Sequence, residues 1–165
     1  MAATLTTEKL EHTAAIEAVL ARAFGPGRFA KTSERVRERG AVAEPALSRV
    51  ALSEAGEVVG VCRVWRVAAG APLYFLGPLA VDPDAQSAGL GLSLARAAVA
   101  ACRAAGGASV VVVGAAPFFA PLGFTIAAPE RLRLPGPVDP ARLLWLELRP
   151  GGLDKVQGEI TAPSR

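Results

Sequence analysis

Leu79-Ala80-Val81-Asp82-Pro83-Asp84-Ala85-Gln86-Ser87-Ala88-Gly89-Leu90-Gly91-Leu92 decides how this chain is read: an apolar strand ends in a polar turn, and the chain restarts as a helix through two glycines. The first N–H groups of a helix have no intrahelical acceptor and stand at the positive end of its dipole. With no side chain at Gly89 or Gly91, a pyrophosphate can approach those donors closely. The same residues also suit a plain strand-to-helix turn in which the glycines serve only the backbone. The rest of the chain has to discriminate.

Composition narrows the choice. The 165 residues fit a single domain, 1–165, large enough to bury roughly 70% of the surface its unfolded form exposes. A hydrophobic content of 52% against only 5% aromatic residues implies a core of Ala, Val and Leu packed closely on glycine. Cys62 and Cys102 have no metal-ligand spacing and read as small buried thiols in a reducing compartment. The start, Met1-Ala2-Ala3-Thr4-Leu5, lacks the basic and apolar run of a secretion signal, so a cytoplasmic location is expected. No stretch reads as a membrane span: residues 104 to 129 are uncharged, but the apolar run Val110 to Phe124 is broken by Gly114, Pro117, Pro121 and Gly123 and falls short of the ~20 residues a spanning helix needs.

Eighteen basic residues against fifteen acidic ones, a net charge of +3, is too small an imbalance for a nucleic-acid partner. The charge is unevenly placed, however. Arg28, Lys31, Arg35 and Arg39 follow one another at steps of three or four and predict one helical stripe, either a solvated face or a rim that attracts an anion.

Periodicity predicts the elements. Thr6-Thr7 reads as a cap, followed by an amphipathic helix to about Phe24 that Gly25-Pro26-Gly27 stops, and a charged helix spans roughly Ala30 to Arg39. Leu47 to Leu52, Val58 to Val67 and Leu73 to Val81 form an antiparallel meander. The helix from Gly91 ends at Gly106-Gly107, and four valines, Val110 to Val113, have the pattern of a central strand covered on both faces. Strand, helix and strand in this order lie parallel. A short helix at Phe118 to Leu122, a Pro-rich surface excursion over Pro129 to Pro140, a strand at Arg142 to Leu148 and a last strand near Val156 to Thr161 complete the chain.

A dinucleotide fold does not fit, because seven residues separate the strand from its first glycine, Leu94 stands at the third glycine position, and no carboxylate ends the next strand. A Walker A loop lacks its Gly-Lys-Ser/Thr. What remains is Gln-x-x-Gly-x-Gly after a strand and a polar turn, Gln86-Ser87-Ala88-Gly89-Leu90-Gly91. This resembles the acetyl-CoA motif of the GNAT superfamily of N-acetyltransferases, and Leu76 to Pro83 with Phe118 to Phe124 looks like its small bacterial members. The resemblance implies an α/β (α+β) fold: a mixed, mostly antiparallel central sheet with helices on both faces and splayed central strands.

By that resemblance, Leu79, Ala80 and Val81 offer backbone hydrogen bonds to pantetheine, and Gln86, Ser87, Ala88, Gly89, Leu90, Gly91 and Leu92 hold the pyrophosphate. The splay separates Leu79 to Val81 from Val112 to Gly114. Phe118 also borders the cofactor, acetyl-CoA, and no metal is called for. The family's usual Gly and Arg or Lys are replaced by Ser87 and Ala88, which removes a cation beside the phosphates. Its tyrosine in the short helix is matched only by Phe118 or Phe119, and the Leu73 to Val81 strand carries no acid or histidine, so the catalytic side chains are unknown. Glu147 is a distant candidate base. Phe24, Phe29, Arg63 and Trp65 are the candidate lining of an acceptor pocket for a small-molecule or protein amine, and the Trp145 strand with the apolar tail offers a face for a homodimer. Two readings stay open: acyl transfer to an amine in a ternary complex, driven by positioning, or a non-catalytic acyl-CoA binding module.

Overall fold

The computed structural model describes residues 3–85 and 89–164. Its first element is a strand, β1 (Thr4–Thr7), so Thr6 and Thr7 pair with Val50 and Arg49 instead of capping a helix. β-branched threonine suits that pairing. A 3-10 turn at Leu10–His12 leads into α1 (Thr13–Phe24), whose buried Ile16, Val19 and Leu20 face the sheet. Gly25, at φ 67°, ends α1, as the Gly-Pro-Gly run predicts.

The charged helix is not continuous. Pro26–Ala30 is 3-10, Lys31 is extended, and α2 begins afresh over Thr32–Glu38. The turn angle of the chain is reset at Lys31, and this breaks the expected stripe. Arg28 and Lys31 turn toward the sheet's cleft, whereas Arg35 turns away to the segment around Gly136.

β2 (Val42–Ala43), β3 (Arg49–Leu52), β4 (Val58–Ala68) and β5 (Pro72–Val81) follow, then α3 (Leu90–Ala104), β6 (Ser109–Val113), α4 (Ala116–Phe119), β7 (Thr125–Ile126), β8 (Leu132–Arg133), β9 (Leu143–Glu147) and β10 (Gly158–Glu159). The main sheet has the order β1-β3-β4-β5-β6-β9-β7, with β2 added beside β4. Only β5 and β6 pair parallel within it, joined through α3 as a strand-helix-strand crossover requires. This is the mixed, mostly antiparallel sheet that the resemblance implies.

Alternation places helices on both faces. On β6, Val110 and Val112 join the core under α3, while Val111 and Val113 point to the opposite core beneath α2 and the C-terminal tail. Val50, Val61 and Ala80, neighbours across three strands, receive Ile16, Val19 and Leu20 of α1.

Two expectations about the C-terminal third need correction. The Pro129 to Pro140 segment is not merely a surface excursion, since Leu132 and Leu134 are buried and β8 pairs with β10 in a small parallel sheet. Trp145 and the tail residues Val156 and Ile160 are buried too, because β8, β10 and Arg131, 5.0 Å from the Trp145 ring, cover them. The apolar face expected to support a homodimer is thus consumed within the chain.

Candidate active site

β5 departs from ideal geometry at one place. Leu76 pairs with Val64 and Leu79 with Cys62, so three steps along β5 match two along β4, and Gly77-Pro78 bulges opposite Arg63. Sequence explains the position: Pro78 has no N–H to give a ladder, and Gly77 sits at φ 123°, which an L side chain resists. The Trp65 indole N–H, on β4, donates to the Gly77 carbonyl at 2.6 Å and holds the bulge in place.

The same bulge ends the parallel pairing. β5 and β6 pair through Tyr74–Val110, Phe75–Val111 and Leu76–Val112, and no further. Val112 is still paired, so the strands part at Gly77 and Val113, one step later on β6 than the expected splay at Val112. From Gly77 to Val81 the edge of β5 that β6 would have covered is bare. A cavity of about 480 Å³ opens there.

One half of its wall is almost free of charge. Leu79, Ala80 and Val81 line it, with Gly89, Gly91 and Leu92 at the start of α3, Val112 to Gly114, and Phe118 and Phe119. Gly89 caps α3 in the left-handed conformation, φ 85°, and the Ser93 N–H to Gly89 carbonyl bond at 2.8 Å is the first to close. The N–H groups of Leu90, Gly91 and Leu92 therefore have no helical acceptor among the described residues. A side chain on Gly91 would point between Val81 and Phe118, 3.5 Å from the Phe118 ring, into the floor of the cleft. Gln86, Ser87 and Ala88 lie outside the described residues.

The two phenylalanines differ. Phe119 is buried, its ring occupying the space a side chain on Gly114 would need and meeting Phe124 edge-on at 5.5 Å. Phe118, 39% exposed, stands over Gly91 at the cleft.

The other half is charged. Phe24, Arg28, Lys31, Ser33, Glu34, Arg37 and Arg142 line it. Arg28 donates to Glu17 at 2.7 Å, and this bond, with Arg63 adding to it, holds the Glu17 carboxyl below its ordinary value. Arg37 donates to Glu34 through Nε and Nη2, at 3.2 and 2.9 Å; burial pulls its guanidinium below the usual value, and Glu34 opposes that pull. Its Nη1 lies 3.7 Å from where a Gly77 side chain would begin and has no hydrogen-bond partner among the described residues. The Lys31 ammonium stands 4.4 Å from the centre of the Phe24 ring.

Of the four acceptor candidates, only Phe24 lines the cleft. Phe29 is more than half exposed under Arg28, Arg63 is turned to Glu8 and Glu17 behind the bulge, and Trp65 braces Gly77 from β4. Glu147 pairs with Ser109 at the far end of β6 from Gly114 and accepts from the Leu153 N–H, so it is no base for this cleft. Glu34, Arg37 and Arg142 were not picked out from sequence. The i, i+3 pairing of Glu34 and Arg37 was visible, but it carries no sign of which face of α2 meets the sheet. Burial pushes the Cys102 thiol up to about 12 and the Cys62 thiol further still, so neither is a thiolate poised to carry an acyl group.

The parallel pair of a mixed sheet thus parts over the start of a helix, beside a charged pocket. A family model for the acetyltransferase (GNAT) family matches residues 13–124, and the chain belongs to that family, whose co-substrate is acetyl-CoA. Among solved structures it is similar to the GNAT family N-acetyltransferase YhbS from Escherichia coli in complex with CoA, at 27% identity and a TM-score of 0.80, covering 98% of this chain and 89% of that one. It shares its fold with a GNAT family acetyltransferase from Brucella melitensis in complex with acetyl-CoA, at 24% identity and a TM-score of 0.71, covering 99% and 97%. The fold also matches the ribosomal-protein-S18-alanine N-acetyltransferase from Escherichia coli, at 19% identity and a TM-score of 0.61, covering 89% and 94%. No curated relative matches the sequence. Among the described residues no three His, Cys, Asp or Glu side chains gather as a metal would require, and no helix is long and apolar enough to cross a membrane.

Proposed function

We propose that the chain, acting as one unit, transfers an acetyl group from acetyl-CoA to an amine by direct attack within a ternary complex. The parting of β5 and β6 at Gly77 carries the reading, since it leaves a bare strand edge facing a cleft that ends at the start of α3. Pantetheine amides hydrogen-bond to the Leu79–Val81 edge as an added strand would. The pyrophosphate rests on the N–H groups of Leu90, Gly91 and Leu92.

The acceptor enters from the Phe24, Lys31 and Arg37 side. Its neutral nitrogen attacks the thioester carbonyl carbon, and a backbone N–H of the bare edge stabilises the oxyanion. The C–N bond forms, the C–S bond breaks, CoA leaves as the thiolate, and the proton lost by the nitrogen restores the thiol through water. With phenylalanine at both 118 and 119, no side chain of α4 supplies that proton. Orientation and oxyanion stabilisation carry the acceleration.

The test pairs a calorimetric titration of acetyl-CoA with thiol release in the presence of an amine panel. Binding with amine-dependent thiol release is expected. Binding without release on any amine would favour a non-catalytic acyl-CoA binding module, and no binding would overturn both.

A further inference from the structure

The acceptor half of the cleft carries four cations and a single carboxylate: Arg28, Lys31, Arg37 and Arg142 against Glu34. Glu34 is spent on Arg37, and Arg28 is neutralised from behind by Glu17. Lys31 and Arg142, both exposed, have no carboxylate within salt-bridge distance among the described residues. Arg37 adds its unpartnered Nη1, facing Gly77 where the strands part. These charges are badly placed for CoA itself, because Arg28, Lys31 and Arg37 come from the α1 and α2 side of the sheet while the phosphate-holding start of α3 lies on the other. A basic amine such as a polyamine or a lysine in a cationic peptide would enter against this surplus.

We infer that the acceptor is a primary amine bearing its own anion, a carboxylate or phosphate, which Lys31 and Arg142 receive at the mouth and the Arg37 Nη1 receives deeper in. This rests on the cleft being an acetyl-transfer site. The anion both orients the amine toward the gap and cancels the positive field it enters. Phe24, under the Lys31 ammonium, covers the acceptor's carbon chain.

The experiment compares amines in pairs that differ by the anion: amino acids against their amides, and O-phosphoethanolamine against ethanolamine, with acetyl-CoA and thiol release as the readout. The acid member is expected to show at least about a tenfold higher kcat/KM, residing in KM. In the double variant Lys31→Gln, Arg142→Gln that ratio falls below about threefold, and 1 M salt, with a Debye length of about 3 Å, erases most of it. Equal use of acid and amide, a preference for the amide, or a preference that survives the double variant would overturn the inference. Binding separates this from the parent reading. The N-acetylated acids and amides are titrated calorimetrically into protein saturated with CoA, or into free protein if CoA does not bind. Tighter binding of the acids that depends on Lys31 and Arg142 supports the anion site even where no amine is turned over, and equal affinities overturn it.

Discussion

The two halves of the cleft are built from different materials. On the side proposed for CoA, a polyanion meets hardly any side-chain charge, and the partners are backbone: the bare edge from Gly77 to Val81 and three N–H groups at the start of α3. On the side proposed for the acceptor the lining is side chain and charge, held by ion pairs to Glu17 and Glu34. Backbone donors are placed by the fold alone and change little under substitution, which suits a co-substrate common to a family. Side chains can be exchanged without moving a strand, which suits an acceptor that differs from one member to the next.

The sharpest way to break this contrast is Gly91→Val. The branched side chain would fill the floor between Val81 and Phe118. CoA affinity is expected to drop by about a hundredfold or more, about 2.7 kcal/mol. Melting temperature should stay near that of the parent, since valine is no worse than glycine in a helix. Unchanged affinity by calorimetry would show that phosphate is not held at the start of α3.

Exposure of the two rings of α4 separates them next. Phe118→Tyr places a hydroxyl at the cleft, and turnover should rise by up to about a hundredfold if a general acid is what the site lacks. Phe119→Tyr should give no gain and should cost about 1–3 kcal/mol in denaturant unfolding, because its hydroxyl would be carried into the packing around Gly114. A gain from position 119 instead would move the leaving group to the other side of α4.

Trp65→Phe tests whether the parting of the strands is held or merely tolerated. Losing the indole N–H to Gly77 should cost about 1 kcal/mol of stability and should lower kcat more than it weakens CoA binding. Equal kcat would mean that the bulge holds itself.

The smallest effect is expected at Asp82, which follows β5 and ties it to α1 by accepting from the Asp84 N–H and from Arg22. The Asp84 N–H first, then Arg22, holds the carboxyl below its ordinary value. A carboxyl depressed in the folded state stabilises above the unfolded value, about 3.9, and that contribution is lost as pH falls through the lower folded value. With Arg22 half exposed, Asp82→Asn should cost only about 0.5–1 kcal/mol at pH 7. The gap in melting temperature between parent and variant should narrow as pH falls below about 3.9. A gap indifferent to acid would place the effect in packing.

Much of this architecture was legible in the chain. The strand, polar turn and Gly89-x-Gly91 start of α3 mark the side proposed for CoA because a helix start and its glycines are local features. The valine run 110–113 marks the covered central strand because alternation needs no knowledge of the partner. What tertiary structure alone decided is equally particular. Thr6 and Thr7 became a strand because β3 was there to pair with them. The stripe of Arg28, Lys31, Arg35 and Arg39 dissolved because Lys31 is extended, and Arg37 and Arg142 line the cleft with Arg28 and Lys31 while Arg35 turns away from it. Gly77-Pro78 was a visible breaker within a strand, yet only the register against β4 showed that it parts the sheet. Local pattern sets which backbone groups are left free, whereas which charges face them depends on contacts between residues distant in the chain, and periodicity holds no record of those.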